Sequence, residues 1–547
     1  MTNNYKTPLE CLYHWEKTAS NHVYLKQPRN RQWYEYTWKE VGQQARRMAS
    51  ALADLGLERG DKVAIISKNC AEWIISDLAI MMGGYVSVPL YPLQSDDSMR
   101  YVLEHSGSKV IFVGKLDNPK QVQSILPNNI TKIGYNYDGI HTELKWNDLI
   151  KEYDPIAKDH YPAMDDIFTI VYTSGTTGNP KGVVHTYKSA SFSGSNGVKT
   201  FNVNQQDSYL SFLPLAHVAE RILVELSSLY SGAEVSFAES LDTFAEDLQI
   251  VSPTRFFSVP RLWSKFQMGV LEKLPQKKLD KLLRIPLLNR VVKKKIRKGL
   301  GLDNSTMVIA GAAPMPIPVL KWFAKLDIHI QEGYGMSENF AYGCINRKES
   351  IRMGTVGTQM PGGEVKISEE GEILFKSDAL MEGYYLEDEK TAEVIKGGYY
   401  YTGDAGFIDD EGFVKVTGRI KDNFKTSKGE FVEPAKIEGL LAENTDVEQI
   451  CVVGLGMVQP ICLAVLSEAA REKSKDVVHE DLKKTLSTVN SALQSHEVLN
   501  GLIVVKDDWT PENGFMTPTL KIKRHEVSTR YKDLVEQHAE CKEVVWE

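Results

Sequence analysis

"YTWKEVGQQARRMASALADLGLERGDKVAIIS", residues 36–67, reads as a helix followed by a strand. Thr37 and Glu40 have capping-box spacing, and Val41, Ala45, Met48, Leu52 and Leu55 recur at helical intervals. Gly56 is the expected stop, and "KVAII" is a continuous apolar run of the kind a strand buried on both faces carries. The next stretch repeats the theme, with "AEWIISDLAIMMGG" as helix and "YVSVPLY" as strand. Further apolar runs, "SKVIFVG", "FTIVYT", "EVSFA", "TRFFSVP" and "MVIAGA", alternate with helical stretches. That alternation predicts an α/β architecture of doubly wound, mainly parallel sheets.

Near residue 350 the texture changes. "GTVGTQMPGGEVKISEEGEILFKS" is punctuated by Gly and Glu-Gly every few residues, which predicts a small antiparallel sheet or β-barrel-like subdomain appended to the α/β core. After "GRIKDNFKTSKGE" (418–430) helix and strand signals resume over about 120 residues, enough for a small α+β domain. The expected division is 1–420 and 421–547, with the boundary at Lys421.

A chain of 547 residues exceeds what one hydrophobic core supports, and 42% hydrophobic with 25% charged residues describes an ordinary globular protein. The net charge of −8 argues against nucleic acid as a partner. Six cysteines lie far apart with no CxxC pair, which fits reduced thiols in a cytoplasmic enzyme better than a zinc site or a disulfide framework. "MTNNYKTPLECLYHWEK" lacks the basic start and apolar core of a signal peptide. The most apolar window, 78–93, is too short and too broken by Gly and Pro to span a bilayer. Any membrane contact is therefore expected to be peripheral, on the inner face. Its candidate is 271–300, where eleven Lys and Arg are interleaved with Leu and Ile against only Glu272 and Asp280. The sequence leaves monomer and homodimer open.

Four segments carry chemistry. In "VYTSGTTGNPKGVVHT" (171–186), Thr173, Ser174, Thr176 and Thr177 supply hydroxyls. Gly175 and Gly178 admit close backbone approach to anionic oxygens, and Lys181 adds positive charge. The loop is not a Walker A motif, because Pro180 precedes the lysine and Gly182 follows it. In "QEGYGMSEN" (331–339) a strand ending in Gly-Tyr-Gly offers an aromatic face for a purine, with Glu338 placed for Mg²⁺ beside phosphates. In "YYYTGDAGFIDDEGFVKVTGRIKDNFK", Asp404 is a candidate bidentate acceptor for two ribose hydroxyls, and Arg419, at the end of the same hairpin, a candidate to reach the same sugar or its phosphate. The fourth is "NGFMTPTLKIKR", which holds Lys521.

These segments, in this order, resemble the adenylate-forming superfamily of acyl-CoA synthetases, luciferases and peptide-synthetase adenylation domains. "LPLAHVAER" (213–221), "SVPRLW" (258–263), "GAAPMP" (311–316) and "TPTLKIKR" (517–524) are similar to its long-chain fatty acyl-CoA synthetase branch. The resemblance implies ATP, Mg²⁺ and coenzyme A, with a fatty acid activated as acyl-AMP, pyrophosphate released, and the acyl group passed to the CoA thiol. It implies that Thr173, Ser174, Gly175, Thr176, Thr177, Gly178 and Lys181 hold the departing phosphates, with Thr173 and Glu338 on Mg²⁺. The nucleotide would lie among Gly311, Ala312, Ala313, Glu332, Gly333, Tyr334, Gly335 and Ser337, its ribose on Asp404 and Arg419. Lys521 would bridge the carboxylate and α-phosphate. Lys421 would be the hinge about which the small domain turns, bringing Lys428, Gly429 and Glu430 to the CoA channel. His217 and Trp263 would border the acyl pocket. Two departures stand out: "GAAP" where Gly-Gly-Ala-Pro is commoner, and Ser337 where Thr is frequent. Competing readings are a ligase for aryl or other carboxylates, acyl transfer to a carrier protein, and a non-catalytic adenylate-binding regulator.

Overall fold

The computed structural model describes residues 5–173, 179–517 and 520–547. The opening helix forms as expected: Trp38–Asp54 is capped by Thr37, with Glu40 returning the bond to the cap backbone. It precedes the strand Lys62–Ile66, and Ala71–Met82 and Val86–Leu90 repeat the unit.

These strands belong to an eight-stranded sheet. It runs edge to edge through Gly383–Tyr384, Lys181–Thr186, Ile167–Thr173, Val86–Leu90, Lys62–Ile66, Val110–Val113, Thr131–Gly134 and Leu144–Lys145. Six of them are parallel, and the two at the Gly383 edge are antiparallel. A nine-stranded sheet follows the order Thr358–Gln359, Cys344–Ile345, Ile330–Tyr334, Met307–Ala310, Arg255–Ser258, Ser208–Ser211, Glu234–Phe237, Val23–Arg29 and Gln32–Thr37. The two sheets share one core, in which Val63, Ile65 and Phe168 of the first meet Tyr24, Leu25 and Phe237 of the second, with Trp38, Leu52 and Trp73 between them. Within it the fully buried Arg221 pairs with Asp77 and with Glu225 (3.0 Å), and its guanidinium lies 4.6 Å from the Phe168 ring. An isolated buried charge would be untenable; this one is compensated on two sides.

The Gly-punctuated region forms a five-stranded antiparallel sheet built on Glu364–Ile367, Glu372–Lys376, Ile395–Lys396, Tyr399–Ile408 and Val414–Arg419. The C-terminal portion has its own four-stranded sheet, Val447–Val453, Ile461–Leu466, Leu502–Val504 and Val544–Trp546, with an apolar cluster on each face. A large N-terminal domain and a small C-terminal domain result.

The basic segment becomes two helices, Gln276–Leu283 and Pro286–Gly299. Leu279, Leu283, Val292 and Ile296 pack into the cluster that holds Trp263, while Leu287 (82% exposed) and Val291 (62%) stand in solvent. No helix among the described residues is long and apolar enough to cross a membrane.

Candidate functional site

Lys181 opens the second strand of an antiparallel pair. Ile167–Thr173 and Lys181–Thr186 pair antiparallel with Thr173 directly opposite Lys181. A Walker A loop runs from strand into helix; here a second strand follows, so the lysine is held by cross-strand pairing and not by a helix terminus. Ser174, Gly175, Thr176, Thr177 and Gly178 lie outside the described residues.

Beyond the hairpin, a residue unremarked in the sequence joins two expected ones. Gly383–Tyr384 adds to the hairpin edge with Tyr384 opposite Val183. Lys181 Nζ sits 4.6 Å from the Tyr384 ring centre, and the Tyr384 hydroxyl donates to Glu338 Oε1 at 3.0 Å. Lysine and carboxylate thus meet across one aromatic ring. The Glu338 turn is fixed from behind by Met381 N–H donating to the Glu338 carbonyl (2.8 Å) and by His185 Nε2 donating to the Ser337 carbonyl (2.6 Å). Burial pushes the His185 pKa down to about 4, so the ring is neutral at physiological pH.

The expected ribose pair is preassembled. Asp404 and Arg419 are cross-strand partners, and Arg419 Nε donates to Asp404 Oδ1 at 2.8 Å. Tyr334, at the end of Ile330–Tyr334, donates its hydroxyl to Asp404 Oδ2 at 2.5 Å. Both carboxylate oxygens therefore already have protein donors, and a diol would enter by sharing them. Glu332 is buried and its carboxyl is raised to about 7, because desolvation outweighs the single backbone donor from Gly354.

An apolar cleft with about 1070 Å³ of non-atom space, its mouth included, runs along the nine-stranded sheet. Gly311, Ala312, Gly333, Tyr334, Gly335 and His217 stand on its wall, so the 311–312 turn, the Gly-Tyr-Gly strand end and the histidine meet there. Ala312 has φ +66°, a left-handed conformation in a non-glycine residue. His217 Nδ1 accepts from Ala219 N–H (3.1 Å), which leaves the ring proton on Nε2, and its pKa falls to about 4 through desolvation and then the nearby Lys521 charge. Behind it, Glu220 Oε1 accepts from Ser211 Oγ (2.7 Å), Phe212 N–H (3.1 Å) and Asn69 Nδ2 (3.3 Å), yet burial lifts its pKa to about 8.

Trp263 does not border this cleft. It is 0% exposed in the cluster behind, edge-on to Phe256, and Phe256 itself forms the wall. The packing reason is that the helix Pro260–Lys273 turns Trp263 toward Phe266 and Phe323.

Lys521 reaches the site from the small domain. The segment is pinned by Thr517 N–H donating to the Lys521 carbonyl (2.8 Å) and Lys521 N–H donating to Thr517 Oγ1 (3.1 Å). Lys521 is exposed at the junction of the domains, and its pKa is lowered, by desolvation first and then by Arg419, against the pull of Asp404 and Glu338. Lys421, in the short turn Ile420–Asp422, is exposed, as are Lys428, Gly429 and Glu430, which stand in solvent in this arrangement of the domains.

Mg²⁺ fits the donors present. Among the described residues no three His, Cys, Asp or Glu side chains cluster to hold a metal alone. Thr173 and Glu338 offer the few hard oxygens that an ion sharing its shell with substrate phosphates needs.

The architecture is that of a two-domain α/β protein, and the Asp404–Arg419 pair adjoins the apolar cleft through Tyr334, which bonds Asp404 and stands on the cleft wall. The AMP-binding enzyme family model matches residues 12–385, and the AMP-binding enzyme C-terminal domain matches 421–543. The chain belongs to the AMP-binding enzyme family. It is 27% identical to the long-chain-fatty-acid–CoA ligase FadD15 of Mycobacterium bovis, over 92% of each chain. It is 28% identical to fatty acyl-CoA synthetase A of Dictyostelium discoideum, over 92% of this chain and 86% of that one. Among solved structures, the anthranilate CoA ligase AuaEII in complex with anthranoyl-AMP superposes with a TM-score of 0.80 at 21% identity, covering 97% of this chain and 98% of that one. These neighbours share the fold.

Proposed function

We propose that the protein is an ATP-dependent acyl-CoA ligase that activates a medium- or long-chain fatty acid as its adenylate and then transfers the acyl group to coenzyme A. The observation that carries this reading is Lys521, which belongs to the small domain yet lies in the field of Arg419, Asp404 and Glu338 in the large one. Two anions, a carboxylate and a triphosphate, must meet, and a cation delivered between them offsets their repulsion where charge develops. Lys181 and the 173–178 hydroxyls would draw off the pyrophosphate, while Asp404 and Arg419 hold the ribose and Tyr334 lies against adenine beside Gly311–Ala313. Thr173 and Glu338 would hold Mg²⁺, whose charge neutralises the departing phosphates. His217, neutral with its proton on Nε2, would donate a hydrogen bond at the junction of cleft and carboxylate. The apolar wall of the cleft and the fatty acyl substrates named in the 27–28% identical relatives favour an aliphatic acid.

For the second step, the division at residues 420 and 421 would let the small domain turn about Lys421, withdraw Lys521 and bring Lys428, Gly429 and Glu430 to a thiol channel. The basic helices 276–299 would rest on an anionic membrane face from which the acid is drawn.

The test is pyrophosphate release across carboxylates from acetate to oleate and aryl acids, with and without CoA. Release stimulated by fatty acids and thioester formation only with CoA are expected; stimulation by aryl acids alone would overturn the substrate. Lys521→Ala is expected to lower adenylation by about a thousandfold while sparing thioester formation from a supplied acyl-adenylate. Equal loss of both half-reactions would contradict the role given to this lysine.

A further inference from the structure

The helix Tyr187–Phe201 supplies one side of the apolar cleft, with Ser193, Gly194, Gly197, Val198 and Phe201 on its wall. Across from it lie residues of the parallel strands Arg255–Ser258 and Met307–Ala310. The carboxyl end of the second strand leads into Gly311–Ala312, and the amino ends hold Arg255 and Met307. The cleft therefore runs the length of the strands, from the nucleotide turn to the opposite edge of the sheet. That far edge is already satisfied: Arg255 donates to both oxygens of Asp207 (2.9 and 3.1 Å), and Tyr209 and Ser227 hydroxyls bond each other at 2.7 Å. Among the described residues there the Arg255 charge is already paired, so this end suits an apolar tail better than a second carboxylate.

The two glycines of this helix have different reasons to be glycine. A Cβ at Gly194 would come within 2.6 Å of the Tyr230 ring, so close packing against that ring excludes a side chain there. A Cβ at Gly197 would meet no atom within 4 Å, and its backbone is not left-handed. Neither packing nor conformation calls for glycine at 197, although a glycine in a helix interior is destabilising. What the missing side chain does is leave open space at the cleft wall.

We infer that Gly197 sets the acyl chain length: the chain of a long monocarboxylic acid runs past it toward Phe201 and Val203, and a side chain at this position would end the pocket there. This inference rests on the fatty acyl reading above and adds the determinant of chain length to it.

The experiment measures kcat/KM for pyrophosphate release with octanoate, dodecanoate and hexadecanoate in the full-length protein, comparing wild type, Gly197→Ala and Gly197→Phe. With Gly197→Phe, the hexadecanoate-to-octanoate ratio is expected to fall at least about tenfold, since even one methylene at a pocket wall discriminates by that order, while octanoate turnover stays within about twofold. Gly197→Ala is expected to shift the ratio in the same direction by less and to raise the thermal midpoint, because alanine is the better helix former. Unchanged chain-length profiles in both variants, equal loss at every chain length, or destabilisation by alanine would overturn the inference. Wild-type protein that no fatty acid stimulates, while aryl acids do, would overturn the parent reading and this inference with it.

Discussion

At the scale of a residue, Ala312 shows what a one-methyl departure costs. The sequence marks "GAAP" as unusual, and the structure gives the reason: the second position of this turn has φ +66°, where an L side chain is disfavoured by about 1–2 kcal/mol and glycine is not. Replacing Ala312 by Gly removes that strain but gives the unfolded chain more freedom, worth about 0.4–1 kcal/mol in the other direction. The expected outcome is a net gain below about 1 kcal/mol, read as a higher denaturation midpoint, with the KM for ATP unchanged within about twofold. A loss of stability would mean that packing of the methyl group outweighs the strain. The departure was legible in the sequence, whereas its energetic sign was not, because φ at 312 is imposed by the strand end at Ala310 and the turn beyond it.

At the scale of an element, the segment 211–221 is held by partners distant in sequence, which no local pattern reveals. Asn69 donates to the Ser211 hydroxyl (2.8 Å) and the Leu213 carbonyl (2.6 Å), and its own carbonyl oxygen accepts from Leu215 N–H (3.2 Å). With Glu220 it clamps the stretch that presents His217. The two titrating groups pull stability in opposite directions. His217 is depressed from 6.5 to about 4, so the unfolded chain binds the extra proton between those values and stability falls as the pH drops through them. Glu220 is raised from 4.5 to about 8, so its contribution is present below 4.5 and is lost as the pH rises toward 8. Glu220→Gln keeps an acceptor and removes the titration. Wild type is therefore expected to lose stability relative to the variant, on the order of 5 kcal/mol, as the pH rises across that window. Denaturation at a series of pH values checks it, and a pH-independent difference would contradict it. Local signals, such as the Thr37–Glu40 capping box or the apolar run 62–66, were readable because their partners lie within a few residues. Tyr384 was not, because its place between Lys181 and Glu338 depends on strand pairing across some two hundred residues. Trp263 went the other way: its motif pointed to the pocket, and helix packing turned it into the core.

At the scale of the whole molecule, the surface and the domain arrangement each carry a prediction. In the basic helices, Lys293 is engaged with Asp327 at 2.8 Å, whereas Lys294, Lys295 and Lys298 are exposed beside the apolar Leu287 and Val291. The free lysines are therefore the ones that would meet anionic headgroups. At about 1 kcal/mol each, changing all three to Gln should weaken co-sedimentation with anionic vesicles on the order of a hundredfold. Unchanged sedimentation would rule out this face as the membrane contact.

The domain arrangement is held at a second point besides Lys521. Arg261 of the large domain pairs with Glu448 of the small one, and Glu468 and Asp508 of the small domain add to the field around its guanidinium. The pair is partly exposed, 43% and 23% for the two side chains, so it contributes at most about 1 kcal/mol. That is too little to hold the domains together, but enough to bias an equilibrium between two orientations by about fivefold. The orientation it favours has Lys521 in the field of Arg419, Asp404 and Glu338 and Lys428–Glu430 in solvent. If the two half-reactions use different orientations, loss of the pair must act on them unequally. Arg261→Ala should slow adenylation by about two- to fivefold and leave unchanged, or quicken, thioester formation from a supplied acyl-adenylate. Single-turnover measurement of each half-reaction gives the answer. If both slow by the same factor, Arg261 acts on something common to both steps, such as the packing of the helix that also carries Trp263, and not on the balance between orientations.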